Sequence, residues 1–122
     1  MKKMLLCALS AMILCTGLVS IQANATTVSG VGGFARLDKT GGNIRWEVGP
    51  ATKCPYSFSG ELDYSDGHLW PVSGAGALGS TTSSTAPAFG KGAMSVTLTG
   101  VAESIDFENF VVVPGCTLGY YN

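Results

Sequence analysis

The chain has a single imidazole for acid–base chemistry, His68, which lies in the stretch GHLWPV. A serine nucleophile needs a base within hydrogen-bond reach, and no GxSxG motif accompanies this histidine. His68 directly follows a turn signal, where an exposed or locally satisfied side chain is the simpler interpretation. The sequence therefore predicts no catalytic residue, and the protein is expected not to be an enzyme.

Two carboxylates near the end of the chain have the spacing of a glycosidase pair. Asp106 and Glu108 are two residues apart, so on a strand they would share one face. Their alternation with Ile105 and Phe107 puts them on the solvated side. We expect an acidic surface here rather than an active site.

A third group, Asp63, Asp66 and Gly67 in DYSDG, could hold a weak calcium ion, but the dense ligand spacing of an EF-hand loop is missing. A plain acidic turn is the favoured interpretation. With one histidine and no CxxC motif, a zinc site is not indicated either. The sequence predicts no metal and no cofactor.

The first 25 residues have the pattern of a secretory signal peptide: two lysines, an apolar run, and a small-x-small sequence that ends at Ala25. Lipidation at Cys15 is the alternative, and the bulky Leu14 before it disfavours that processing. No later apolar run approaches the ~20 residues of a membrane helix. The mature protein is expected outside the cell or on its surface, with the periplasm as the alternative.

Cleavage removes Cys7 and Cys15 and leaves two cysteines, Cys54 and Cys116. In an oxidising compartment these two predict one disulfide, which in the chain-entropy model would stabilise the fold by roughly 4 kcal/mol. Two free thiols or half of a metal site is the weaker alternative.

About 97 residues remain after cleavage, enough for one small domain. Lys2 and Lys3 leave with the signal, so five basic residues face eight acidic ones, a formal charge of −3. Because no basic stripe survives, the charge pattern does not favour nucleic acid or anionic lipid as a partner.

Strand patterns dominate this domain, and helical periodicity is nearly absent. Apolar and polar residues alternate in KCPYSFSGELDY, NIRWEV and AMSVTLTGV, as in half-buried antiparallel strands. The Gly-Gly pair after Lys39 and Thr40, and the sequence SDG, are typical hairpin turns. We predict an all-β fold over residues 26–122, a small antiparallel β-sandwich or a partly open barrel.

Two regions break the alternation. The pattern changes phase near Asn109, which predicts either a β-bulge there or a strand buried on both faces, ended by Pro114 and Gly115. Residues 73–92 contain mostly small and hydroxylic side chains, a composition typical of a long flexible loop.

Aromatic side chains are the candidates for a binding surface. Trp46 shares the apolar face of its strand and is expected in the core. Trp70, Tyr120 and Tyr121 are the candidates for exposed rings, and the terminal GYYN could pair as an edge strand.

Several fragments in order resemble small secreted bacterial proteins called protein activators of alkane oxidation, a group associated with biofilm and surface adhesion. The fragments are the signal ending ANA, SGVGGF, CPYSFSGEL with Cys54, LWPVSG, SVTLTGV and the late Gly-Cys at Cys116. The resemblance implies an extracellular, non-enzymatic surface or matrix protein, whose partners would be surface or matrix components or further copies of itself.

Two other classes of function stay open at this point. A fimbria-like fibre subunit would use strands near Thr26 and Tyr121 as exchangeable edges. A small periplasmic or secreted binding module or inhibitor would present a loop, such as residues 73–92, to a partner's cleft. A monomer with one tight partner would indicate the inhibitor, and multimeric material outside the cell would indicate the adhesin or fibre.

Overall fold

The structure is a computed structural model, and it describes residues 25–52, 55–106 and 109–122. The predicted signal peptide therefore lies outside the described residues, apart from Ala25. The described chain forms eight strands: β1 (Ala25–Gly30), β2 (Gly33–Thr40), β3 (Asn43–Pro50), β4 (Tyr56–Tyr64), β5 (Leu69–Gly76), β6 (Thr82–Pro87), β7 (Ala93–Ser104) and β8 (Phe110–Tyr121). Within these residues no helix is long and apolar enough to cross a membrane.

The strands form two four-stranded antiparallel sheets, which confirms the predicted all-β sandwich. The first sheet has the order β1-β2-β3-β6 and the second the order β5-β4-β7-β8. β1 and β2 pack near β8, and β5 packs near β6, so the two sheets lie face to face. The two sheets do not close into a barrel in the described chain.

The core lies between the sheets and is made by the inward-facing residues of alternating strands. Trp46 of the first sheet packs against Phe58 of the second, with ring centroids 5.8 Å apart. Leu37 and Ile44 are fully buried on the first sheet, and Leu62 is fully buried on the second. The period-2 pattern of the sequence thus determines which face of each strand enters the core. The core position predicted for Trp46 is confirmed.

Both predicted hairpin turns are present. Gly41, in the turn between β2 and β3, has φ +59°, and Gly67, in the turn between β4 and β5, has φ +99°. Glycine adopts these left-handed conformations without a Cβ penalty. The turns place β2 beside β3 and β4 beside β5.

The long flexible loop predicted for residues 73–92 is wrong. Ser73 to Gly76 complete β5, and β6 pairs with β3 from Val48↔Thr82 to Asn43↔Pro87. Only Ala86 of β6 is buried, so the strand has almost no hydrophobic signal of its own. Its conformation comes from hydrogen bonding to β3, a tertiary effect that composition does not reveal.

The bulge is real but lies elsewhere than predicted. Ile105 and Asp106 belong to the β7–β8 turn, and β8 begins only at Phe110. The register changes between Leu98↔Cys116 and Gly100↔Val113, so one extra residue is placed in β8 at Pro114 and Gly115. A bulge suits proline, which cannot donate a ladder hydrogen bond. These two residues therefore lie inside β8 and do not end it.

The two ends of the sandwich differ. We call the end with the β2–β3 and β4–β5 turns the aromatic end. The opposite end, with the β1–β2 turn, the β5–β6 connection and the β7–β8 turn, is the apolar end, because these three connections expose Val31 (100%), Leu78 (60%) and Ile105 (64%).

Candidate functional site

Four rings meet at the aromatic end and form the candidate site: Tyr64, His68, Trp70 and Phe89, here called the aromatic cluster. Phe89 is at its centre. His68 stacks parallel on Phe89, with centroids 4.1 Å apart and planes at 2°. Tyr64 meets Phe89 edge-on at 4.9 Å, and Trp70 lies tilted at 5.9 Å. The edge-on contact of Tyr64 has a favoured geometry of aromatic pairs.

Phe89 is held in place by hydrogen bonds to the carbonyl groups of its loop. The Tyr64 hydroxyl donates to the Pro87 carbonyl at 2.7 Å, and the Tyr120 hydroxyl donates to the Phe89 carbonyl at 2.8 Å. The Asn122 amide donates to the carbonyls on both sides of Phe89, at 2.7 and 2.8 Å. A segment that looks like a flexible linker in the sequence is thus fixed at four carbonyls.

Burial changes the acidity of the two tyrosines that hold this loop. Burial raises the pKa of Tyr64 to about 12, with smaller contributions from Tyr120 and Asp66. Burial also raises the pKa of Tyr120, and the charge of Asp66 adds to the effect. Both hydroxyls therefore stay protonated and donate their hydrogen bonds at neutral pH.

His68 is positioned by Asp66. The Asp66 carboxylate lies 3.0 Å from Nδ1 of His68 and also accepts the His68 backbone N–H at 3.1 Å. These hydrogen bonds lower the pKa of Asp66. A histidine–aspartate pair is part of a serine-hydrolase triad, but among the described side chains only Asp66 is hydrogen-bonded to this ring. The pair holds the ring parallel to Phe89.

The three residues predicted for a binding surface lie in different environments in the structure. Trp70 is 36% exposed and belongs to the aromatic cluster, and Tyr121 is 67% exposed on β8. Tyr120 is wrong as a surface residue, because it is 1% exposed and faces the core beside Leu118. Alternation with Cys116 and Leu118 on the same strand already indicated this inward direction.

Phe89 is the residue that the sequence analysis missed. It is the only aromatic residue between Ser73 and Gly92, in a stretch of otherwise small side chains. A lone ring in such a stretch is a signal that the loop is packed against something. The partners Tyr64 and Tyr120 are distant in sequence and gave no further indication.

The carboxylates considered for chemistry lie on the surface. Asp106 is exposed in the β7–β8 turn, where Ser104 donates a hydrogen bond to it, and Asp63 faces outward from β4. Glu108 lies outside the described residues. The part of the chain that the structure describes contains no group of three or more His, Cys, Asp or Glu side chains arranged to hold a metal ion.

Cys116 is fully buried and has a free thiol, 3.6 Å from the Thr26 carbonyl. Burial raises the pKa of this thiol to about 11. Tyr56 pairs with Ser104, six positions along β7 from Leu98, the partner of Cys116. Tyr56, the first residue of β4, therefore lies about 20 Å along the strands from the level of Cys116.

Cys54, two residues before Tyr56, lies outside the described residues. The predicted disulfide therefore stays a prediction, and the described strands give it no support.

A shallow pocket of about 260 Å³ lies at the apolar end, lined by Ala51, Thr52, Asn109, Phe110 and Val111. In this pocket the two residues that follow β3 lie beside the start of β8. Its walls carry no charged side chain among these residues, and it offers no acid–base chemistry.

No protein-family model matches the chain, and neither the characterised proteins nor the solved structures contain a match. The resemblance to the alkane-oxidation activators therefore stays an expectation from the sequence, and the function has to be argued from the site itself.

Proposed function

We propose that this protein is a secreted, non-enzymatic surface or biofilm-matrix protein that mediates adhesion, and that the aromatic cluster makes the contact. The observation that carries the proposal is Trp70, a large ring 36% exposed at an end whose loop is fixed by side-chain hydrogen bonds. An aromatic ring that is already fixed loses little conformational entropy when it binds. His68 adds an exposed imidazole beside it, stacked on Phe89.

The signal-peptide pattern and the low basic content support the same proposal. The mature chain has a formal charge of −3, which does not suit a nucleic-acid-binding role. The His68–Asp66 pair has no described hydroxyl partner, which favours binding over hydrolysis.

The test compares two neighbouring residues of β5 that face opposite sides of the sheet. Trp70 belongs to the aromatic cluster, and Leu69, 57% exposed, points to the outer face. Cells lacking the protein would be complemented with wild type, Trp70→Ala or Leu69→Ala, and surface attachment and biofilm mass measured. We expect Trp70→Ala to lose most of the restored attachment and Leu69→Ala to keep it, with equal amounts of secreted protein.

Fractionation of the producing cells tests the location separately. We expect the mature protein in the surface wash or the matrix. A periplasmic monomer bound to one partner would contradict the adhesion proposal and indicate the binding module or inhibitor. Equal attachment by the two variants would contradict the role of the aromatic cluster.

A further inference from the structure

The two outer faces of the sandwich carry different charges. On the outer face of the second sheet, the outward positions of β4, β5, β7 and β8 include Glu61, Asp63 and Glu103 and no lysine, arginine or histidine. We call this the carboxylate face. Its other outward residues are mostly serine, threonine and apolar side chains. The face therefore carries an uncompensated formal charge of −3 within the described strands.

The outer face of the first sheet is here called the arginine face. On its strands β2 and β3, positive and negative side chains alternate both along and across the strands, in a checkerboard of four residues. Arg36 contacts Asp38 at 3.2 Å, and Arg45 contacts Glu47 at 3.6 Å. In the strand register Arg36 lies opposite Glu47, and Arg45 lies opposite Asp38. The formal charges of these four residues cancel.

Exposure decides which sign this face presents to another molecule. The side chains of Arg36 and Arg45 are 39% and 44% exposed, whereas those of Asp38 and Glu47 are 17% and 22% exposed. Each guanidinium has five N–H donors, more than one carboxylate accepts, so donors remain free on the outside. The arginines therefore form the outermost layer of this face.

On both faces, large apolar residues lie towards the apolar end of the sandwich. On the arginine face, Phe34 lies over Gly49, nearer to the apolar end than the arginines. On the carboxylate face, Phe110 and Val112 are 68% and 62% exposed, and Val101, opposite Val112, is 38% exposed. These three residues also lie nearer to the apolar end than Glu61 and Asp63, and Glu103, opposite Phe110, lies beside them.

We propose that the carboxylate face of one molecule stacks on the arginine face of a second copy of this chain, with like ends aligned. Phe34 then meets the patch of Phe110, Val112 and Val101, while Arg36 and Arg45 meet Glu61 and Asp63. The contact is heterologous, so a stack of any length keeps one free carboxylate face and one free arginine face, and it can extend as a filament.

An isologous pairing is disfavoured by the same charges. Two carboxylate faces brought together would place like charges opposite one another, which is costly at an interface. Exposed ion pairs contribute little energy each and are screened by salt, so the apolar contact is needed to hold the stack. The association is therefore expected to depend on both salt and protein concentration.

This inference goes beyond the proposed adhesion and does not depend on it, because assembly is measured with purified mature protein. Sedimentation velocity would compare wild type with a carboxylate-face variant (Glu61→Gln with Asp63→Asn) and an arginine-face variant (Arg36→Gln with Arg45→Gln). Circular dichroism would verify that each variant is folded. Lys39→Gln with Lys91→Gln is the control for the loss of two positive charges, because neither lysine belongs to the checkerboard.

At about 20 mM salt we expect wild type and the lysine control to form larger species as concentration rises, and both to return to monomer near 500 mM salt, where the Debye length falls to a few ångströms. Each face variant alone should stay monomeric. Their equimolar mixture should form a species of two chains and none larger, since each variant retains one intact face.

Three results would overturn the stacking. They are a wild type that stays monomeric at low salt and high concentration, a carboxylate-face variant that assembles like wild type, or a mixture of the two variants that does not pair. Any of them would leave the attachment assay with Trp70→Ala and Leu69→Ala unaffected, so the two proposals can fail separately.

Discussion

The two ends of the sandwich differ in how the large apolar side chains of their loops are placed. At the aromatic end, Tyr64, Tyr120 and Asn122 donate side-chain hydrogen bonds to carbonyls of the loop around Phe89. At the apolar end, Val31 and Ile105 extend from their turns into solvent. Side chains also bond carbonyls at the apolar end, where Tyr56 donates to Ser80 at 3.1 Å and Ser104 donates to Asn109 at 3.2 Å. The difference is that the loop at the aromatic end packs its ring, Phe89, against other rings, whereas the connections at the apolar end leave large apolar groups in solvent.

This difference shows how a loop with a single large hydrophobic side chain is fixed in place. The residues around Phe89 are small, so burial alone could not fix them. Donors from other parts of the chain satisfy the loop carbonyls instead, and the ring is then placed between Tyr64 and His68. Rigidity at this end is a property of the tertiary structure, since the donors lie 23 to 34 residues away in sequence.

The largest expected effect is loss of a buried ring at the aromatic end. Tyr64 is 2% exposed, and Tyr64→Ala removes its packing and its hydrogen bond to Pro87. We expect a loss of about 3–5 kcal/mol in the free energy of unfolding, as for other buried aromatic residues. Urea unfolding followed by tryptophan fluorescence measures it.

The contrasting change is Phe110→Ala, which removes an exposed ring at the apolar end. Because Phe110 is 68% exposed, this substitution should alter the free energy of unfolding by less than about 0.5 kcal/mol. Equal losses for the two variants would mean that the buried ring of Tyr64 contributes no more to stability than an exposed ring.

Alkaline pH should weaken the aromatic end next. The pKa of Tyr64 is 10.0 in the unfolded chain and about 12 when folded, so the folded state holds its proton more tightly. The stabilisation is complete below pH 10 and is lost as pH rises towards 12, by about 1 kcal/mol for each pH unit. Tyr120 and Cys116, whose pKa values are also raised, should add to the loss.

Unfolding of wild type and Tyr64→Phe at pH 9 and at pH 11 separates these contributions. Phenylalanine keeps the ring but has no proton to lose. The variant should therefore start less stable at pH 9 and lose less stability on going to pH 11. A parallel decline of the two proteins would contradict the assigned cause.

Alternation in the sequence was sufficient to predict most of the fold. The inward faces of β3, β4 and β7 follow from the positions of Trp46, Phe58 and Leu98, and glycine identified both hairpin turns. The bulge was predicted at the wrong position. A change of phase shows that a strand contains an extra residue but does not show where it lies. Pro114 was read as the end of the strand, although proline is tolerated at a bulge.

The candidate site was only partly predictable. Trp70 was recognised as an exposed ring, but β6 and Phe89 depend on contacts that no local pattern contains. β6 pairs with β3 although it buries only Ala86. The charges on the two faces were visible as residue types, but opposing faces can be compared only when the order of strands in each sheet is known.

A smaller effect is expected from Asn122→Ala at the aromatic end. The substitution removes the two side-chain hydrogen bonds to the carbonyls of Ala88 and Gly90 and leaves the backbone pair between Asn122 and Gly92. We expect a loss of about 1 kcal/mol, and faster amide exchange in the loop around Phe89. Tyr121→Ala, an exposed neighbour, should show neither change.

The smallest effect is expected from a reducing agent. Since Cys116 has a free thiol, reduction should leave the free energy of unfolding unchanged, whereas a bridge to Cys54 would contribute roughly 4 kcal/mol. Thiol titration without reductant should find Cys116 unreactive in the folded protein, because it is buried and its pKa is raised to about 11, and reactive after unfolding. If the unfolded, unreduced protein instead has no thiol, the bridge exists. Cys116 would then be tied covalently to the connection between β3 and β4, and the apolar end would be the more constrained of the two.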